Sequence, residues 1–128
     1  MKKNKYLELA RKACEIADSK KAVDPVILNV RRLTTLADYF LIVTAESTPQ
    51  MNAITEAIYR QFRDTLSILP SHRDGRGSNR WSVIDYGGLV VHIMNAGMRK
   101  LYNLERIWDG AIKVKPTKAN RQSLISKK

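Results

Sequence analysis

Metal-assisted nucleotidyl transfer needs two carboxylates on one strand face, spaced Asp-x-Asp or Asp-x-Glu, to hold Mg²⁺. The sequence has no such pair, and Asp85 stands alone beside a predicted turn. Nucleophilic catalysis needs a base next to the nucleophile. Cys14 falls at the edge of a helix stripe with no histidine near it in sequence, where a small buried hydrophobe is the ordinary outcome. His72, His92 and this one cysteine make no zinc-ligand spacing, and His92 reads as a mid-strand sheet histidine rather than a base. A phosphate-binding glycine loop joins a strand to a helix N-terminus. Asp74-Gly75-Arg76-Gly77-Ser78 precedes a strand instead. Thr44-Ala45-Glu46-Ser47-Thr48 does join strand to helix, but it lacks glycine and Glu46 repels an anion. None of these constellations rises above its ordinary structural reading.

The elements of the chain are organised around residues 80–94, whose cover is either the chain's own elements or a partner. Two β-prone runs flank Gly87-Gly88, which reads as a hairpin closed by a two-residue I′ or II′ turn with positive φ at the glycines. Such a turn pairs Tyr86 with Leu89, Ile84 with Val91 and Ser82 with Ile93. Alternation places those six on one, nearly apolar, face. The other face carries Trp81, Val83, Asp85, Val90, His92 and Met94. A hairpin with so little polar surface needs a cover on both sides.

Around it, residues 4–20 predict a helix with Tyr6, Leu9, Ala10, Ala13, Ile16 and Ala17 on its apolar stripe. A mitochondrial targeting helix is the alternative, because the chain opens Met1-Lys2-Lys3; Glu8, Glu15 and Asp18 count against it. Residues 22–31 predict a strand with Pro25 at its start, and 39–44 a strand buried on both faces. Ser47-Thr48-Pro49 begins a second helix, with Met51, Ile54, Ile58, Phe62 and Leu66 inward. Strand, helix and then the Trp81 strand make a right-handed crossover. Residues 67–80 read as a long loop bearing His72, Arg73, Arg76 and Arg80. Residues 96–108 predict one helix with Leu101, Leu104, Ile107 and Trp108 on its stripe, ended by Gly110.

At 128 residues the chain is one domain. No run approaches the ~20 apolar residues of a membrane span, and a lone cysteine fits a reducing, cytosolic compartment. The net charge of +11 suggests a polyanionic neighbour. Six of the eleven excess charges lie in residues 113–128, leaving +5 for residues 1–112. The expected division is a folded body, 1–112, and a basic disordered tail, 113–128.

Three motifs carry a resemblance. Ala37-Asp38-Tyr39-Phe40-Leu41-Ile42, the 81–92 hairpin with Asp85-Tyr86-Gly87, and Tyr102-x-Leu104-Glu105-x-x-Trp108 resemble, in that order, the ribosomal silencing factor family (RsfS, also called Iojap). The resemblance covers residues 6–111. It implies an α/β fold with a mixed five-stranded sheet and flanking helices, nucleotidyltransferase-like in topology but without the metal carboxylates. It implies a cytoplasmic, non-enzymatic repressor that binds large-subunit ribosomal protein fourteen and blocks joining of the small subunit when nutrients are short. Organellar relatives are tied to ribosome assembly.

Carried over, the contact surface is the hairpin, with Trp81 and Tyr86 as anchors among Val83, Asp85, Gly87 and Gly88. The bland alternative packs Trp81 under the 96–108 helix. Parity separates Trp81 from Tyr86, so sheet twist or the turn would have to reconcile them. Tyr102 and Trp108 are further contact candidates, although helical spacing favours core for Trp108. Gly88 stands where the family usually has an acidic residue, Pro49 where it more often has Ser or Arg, and the chain is unusually basic. A different reading is a basic RNA-binding module for large-subunit assembly, with Arg73, Arg76, Arg80 and the tail on ribosomal RNA phosphates. An exposed sheet edge also offers pairing into a homodimer when the protein is free.

Overall fold

The computed structural model describes residues 5–75 and 80–116. Helix α1 (Lys5–Ser19) buries Leu9, Ala10, Ala13, Cys14, Ile16 and Ala17, the stripe its periodicity predicts. Strand β1 (Val23–Asn29) shifts register between Val23 and Val26, an irregularity that accommodates Pro25. Strand β2 (Tyr39–Thr44) is buried along its whole length, as an unbroken apolar run requires. Helix α2 (Thr48–Leu66) starts at Ser47, whose Oγ accepts the Gln50 N–H at 3.1 Å. Met51, Ile54, Ile58 and Phe62 form its buried stripe, but Leu66, expected to extend it, lies 36% exposed where the helix ends.

Among the described residues the sheet has six strands rather than the five expected, in the order β3 (His72–Asp74), β4 (Trp81–Asp85), β5 (Leu89–Met94), β2, β1, β6 (Ile112–Val114). The outermost two account for the difference. Strand β3 (His72–Asp74) forms inside the segment that reads as a loop and pairs antiparallel with β4 (Trp81–Asp85). Strand β6 (Ile112–Val114) pairs with β1, so the sheet continues past residue 112, where the basic tail was expected to start. Residues 117–128 of that tail, and Arg76, lie outside the described residues.

The hairpin has the predicted register, with Ser82 opposite Ile93 and Ile84 opposite Val91. Tyr86 N–H closes it by donating to the Leu89 carbonyl at 2.8 Å. The turn differs in one respect: only Gly87 has a positive φ, +90°, which fits a II′ turn. The crossover is corrected too. Strand β5 (Leu89–Met94), not β4, runs parallel to β2, and β4 is antiparallel to β5. The Trp81 strand therefore runs opposite to β2.

Helices α1 and α2 cover one face of the sheet, where Ile27, Leu41, Val43, Ile84, Val91 and Ile93 join their stripes. The opposite face packs Leu28, Phe40, Ile42 and Met94 against Met98, Leu104 and Trp108. Its cover is two short helices, α3 (Ala96–Tyr102) and α4 (Leu104–Ile107), in place of the single helix expected over 96–108. The break is Asn103, left-handed at φ 39°, a conformation that asparagine tolerates at a helix end. The break turns Leu101 and Ile107, which were expected on the buried stripe, out to 71% and 61% exposure.

Candidate functional site

On this second face the aromatic side chains form one continuous row. Trp108 meets Phe40 edge-on at 5.3 Å between centroids, and Phe40 meets His92 edge-on at 5.2 Å. His92 lies 5.9 Å from Trp81, and Trp81 lies 5.1 Å from Tyr102. Offset and edge contacts of this kind are the favoured arrangements of aromatic rings. One end is Trp108, the partly buried C-cap residue of α4. The outer end reaches solvent at Tyr102, 44% exposed, with Leu101 and Ile107 also exposed on the two short helices. Trp81, Val83 and Val90 are half-buried on the same face.

Two polar devices hold the row in place. The Trp81 Nε1–H donates to His92 Nδ1 at 3.1 Å, so that nitrogen carries no proton and the imidazole is neutral. Burial pushes the His92 pKa down to about 4, against a smaller upward pull from Asp85. The other ring nitrogen, Nε2, is closed off from solvent and has no hydrogen-bond partner among the described residues. The second device is Arg99 on α3. Its Nη1 donates to the Asp24 carbonyl at 2.6 Å and to Thr44 Oγ1 at 2.9 Å, while Nη2 pairs with Glu105 at 3.2 Å. One guanidinium thus fastens both short helices to β1 and β2. Asn95 caps α3 by accepting the Met98 N–H at 2.8 Å.

Residues 3–128 match the family described as ribosomal silencing factor during starvation. The chain belongs to the ribosomal silencing factor (RsfS) family. Ribosomal silencing factor RsfS of Bacillus subtilis is 35% identical over 111 residues, covering 87% of this chain and 91% of the relative. A crystal structure of a Chromobacterium violaceum protein matches with a TM-score of 0.78 at 25% identity, over 87% of this chain and 91% of that one. A crystal structure from Bacillus halodurans matches with a TM-score of 0.73 at 32% identity, over 85% and 98% of the two chains.

The three RsfS-like motifs meet physically. Phe40 comes from the first, Trp81 and His92 from the second, Tyr102 and Trp108 from the third, and all five rings lie in the row. The first two are also joined through the backbone, because the Gly88 carbonyl accepts the N–H groups of Asp38 and Tyr39, each at 2.9 Å. Glycine at position 88 has a local reason in this chain. A Cβ there would lie 2.2 Å from the Tyr6 ring on α1, so any side chain displaces that tyrosine.

The hairpin residues expected at a contact divide between the faces. Trp81 and Val83 lie on the aromatic face, with Trp81 partly covered by α3 and still half-buried rather than core. Asp85 shapes the turn: its Oδ1 accepts the Gly87 N–H at 2.8 Å. Tyr86, expected beside Trp81 as an anchor, is buried in the α1–α2 core, 7% exposed and 4.9 Å from Phe62. Burial raises its phenol pKa well above the ordinary tyrosine value. Twist does not bring it round, and Tyr102 takes its place beside Trp81.

Of the basic residues expected at a phosphate contact, Arg73 and Arg80 are among the described residues. Arg73 pairs with Glu56 at 2.7 Å and lies 4.0 Å over the Tyr59 ring, on the α2 side of the sheet. Arg80 sits at the start of β4, where its carbonyl accepts the Asn95 N–H at 2.8 Å. The exposed Leu101 and Ile107 went unrecognised as surface residues because their spacing is that of a buried stripe. The signal that separates them is Asn103, a residue suited to ending a helix.

Proposed function

We propose that this RsfS-family chain binds the large ribosomal subunit through ribosomal protein fourteen and sterically blocks the small subunit from joining. Translation is thereby repressed without chemistry. Such a block needs only affinity and abundance sufficient to outcompete joining. The observation that supports the reading is the incompletely covered aromatic face, where Trp81 and Tyr102 lie beside exposed Leu101 and Ile107. Aromatic residues flanked by apolar neighbours are the usual hot spots of protein contacts, each costing about 2 kcal/mol or more when truncated. The contact is accordingly assigned to Trp81, Val83 and Tyr102, with Asp85, Gly87 and Gly88 setting the turn and Tyr86 supporting it from behind. The setting is the cytoplasm; among the described residues no helix is long and apolar enough to cross a membrane.

The test is co-sedimentation of the full chain with separated ribosomal subunits at moderate salt. Wild type follows only the large subunit, and Trp81→Ala and Tyr102→Ala each weaken binding by roughly thirtyfold. The net charge of +11 favours a second reading, an RNA-binding module in large-subunit assembly with Arg80, Arg76 and the basic tail on phosphates. Binding to both subunits, indifferent to Trp81 and falling steeply with salt, would establish that one instead. Deleting residues 117–128, which leaves β6 intact, measures the tail's share of the salt slope.

A further inference from the structure

We infer that His92 is the positioning residue of this contact: its imidazole accepts the Trp81 indole N–H and holds the ring in the orientation the open face presents. The inference rests on the reading of that face as the ribosomal contact. Its basis is geometric. His92 lies directly opposite Val83 in the β4–β5 ladder, which makes Trp81 its diagonal neighbour on the same face. The indole N–H meets Nδ1 at 3.1 Å. On its other side the imidazole is held edge-on by Phe40 at 5.2 Å, and Phe40 by Trp108 at 5.3 Å. The orientation of an inner, packed ring is thus passed outward to a half-buried one.

The fold alone does not call for histidine here. Nε2 is shut off from solvent with no partner among the described residues, an arrangement that a phenyl or aliphatic group in the same place would avoid. The imidazole group that does find a partner is Nδ1, and that partner is the indole. A ring already fixed before binding loses less freedom on binding, so the hydrogen bond raises affinity by pre-organisation.

The two roles separate by experiment, because a packing role moves stability and binding together. The full chain is compared as wild type, His92→Phe, His92→Asn, His92→Gln and Trp81→Ala. Each is measured for thermal unfolding, for equilibrium affinity toward isolated large subunits and for the indole N–H resonance of Trp81. Asn places an amide oxygen near the Nδ1 position, whereas Gln places it near Nε2 and Phe has none. The expected result is an unfolding temperature for His92→Phe at or above wild type, with affinity about fivefold weaker and the indole resonance shifted toward that of a free N–H. His92→Asn keeps both affinity, within about twofold, and resonance. Normal affinity in His92→Phe, while Trp81→Ala loses binding, overturns the positioning role and leaves the contact standing. If His92→Phe does not fold, equal affinities for the Asn and Gln variants overturn it in the same way. Normal binding by Trp81→Ala defeats the contact itself, and this inference with it.

Discussion

Beneath α1 and α2 the sheet presents Ile27, Leu41, Val43, Ile84, Val91 and Ile93, none with measurable exposure. Its opposite face presents Phe40, Trp81 and His92 beneath two short helices whose Leu101, Tyr102 and Ile107 remain exposed. The closed face is mainly aliphatic, with Tyr39, Phe62 and Tyr86 buried among those chains, and close packing holds it. The open face is built of rings with polar handles, which pack inward and still offer an oriented edge outward. That division assigns stability mainly to one side of the sheet and recognition to the other.

The largest expected effect comes from opening the closed face. Phe62, fully buried near the C-terminal end of α2, is expected to cost about 3–5 kcal/mol on Phe62→Ala in urea unfolding, with large-subunit affinity of the folded protein unchanged. A stable variant with weakened affinity would reverse the assignment. Acid tests the open face next. The His92 pKa of about 4 lies below the ordinary 6.5. As pH falls below 6.5 the unfolded chain takes up the proton first, so stability is full above that pH and lost progressively toward pH 4. The loss through this one group is about 3 kcal/mol. It appears as the difference between wild type and His92→Asn in unfolding measured across that window, and parallel curves would contradict it. The smallest effect on stability belongs to Leu101→Ser and Ile107→Ser, each within about 0.5 kcal/mol of wild type because both side chains are already in water. Both nevertheless weaken large-subunit binding in the same co-sedimentation assay. Unchanged affinity would shrink the contact to Trp81 and Tyr102.

Much of this plan is legible in the sequence where a period repeats. The stripes of α1 and α2, the unbroken run of β2 and the register set by Gly87-Gly88 all carry enough residues to reveal their geometry. Strands β3 and β6 have three residues each, too few to establish alternation, so one reads as loop and the other as tail. Tyr86 is the instructive residue at the site. Alternation alone groups it with Ile84 and Ser82 on the core face, where it lies; the resemblance names it as an anchor together with Trp81, from which parity already separates it. The Asn103 break hid the remainder, since helical spacing continues through it while the side chains change direction.

The most direct test of the open face as the contact is hydroxyl-radical footprinting of the full chain, alone and bound to purified large subunits. It reads side-chain exposure at both faces in one experiment. Trp81, Leu101, Tyr102 and Ile107 should lose reactivity on binding, while Tyr59 on α2 keeps its own. Protection of Tyr59 with Trp81 and Tyr102 unchanged would place the ribosome on the other side of the sheet and contradict the account.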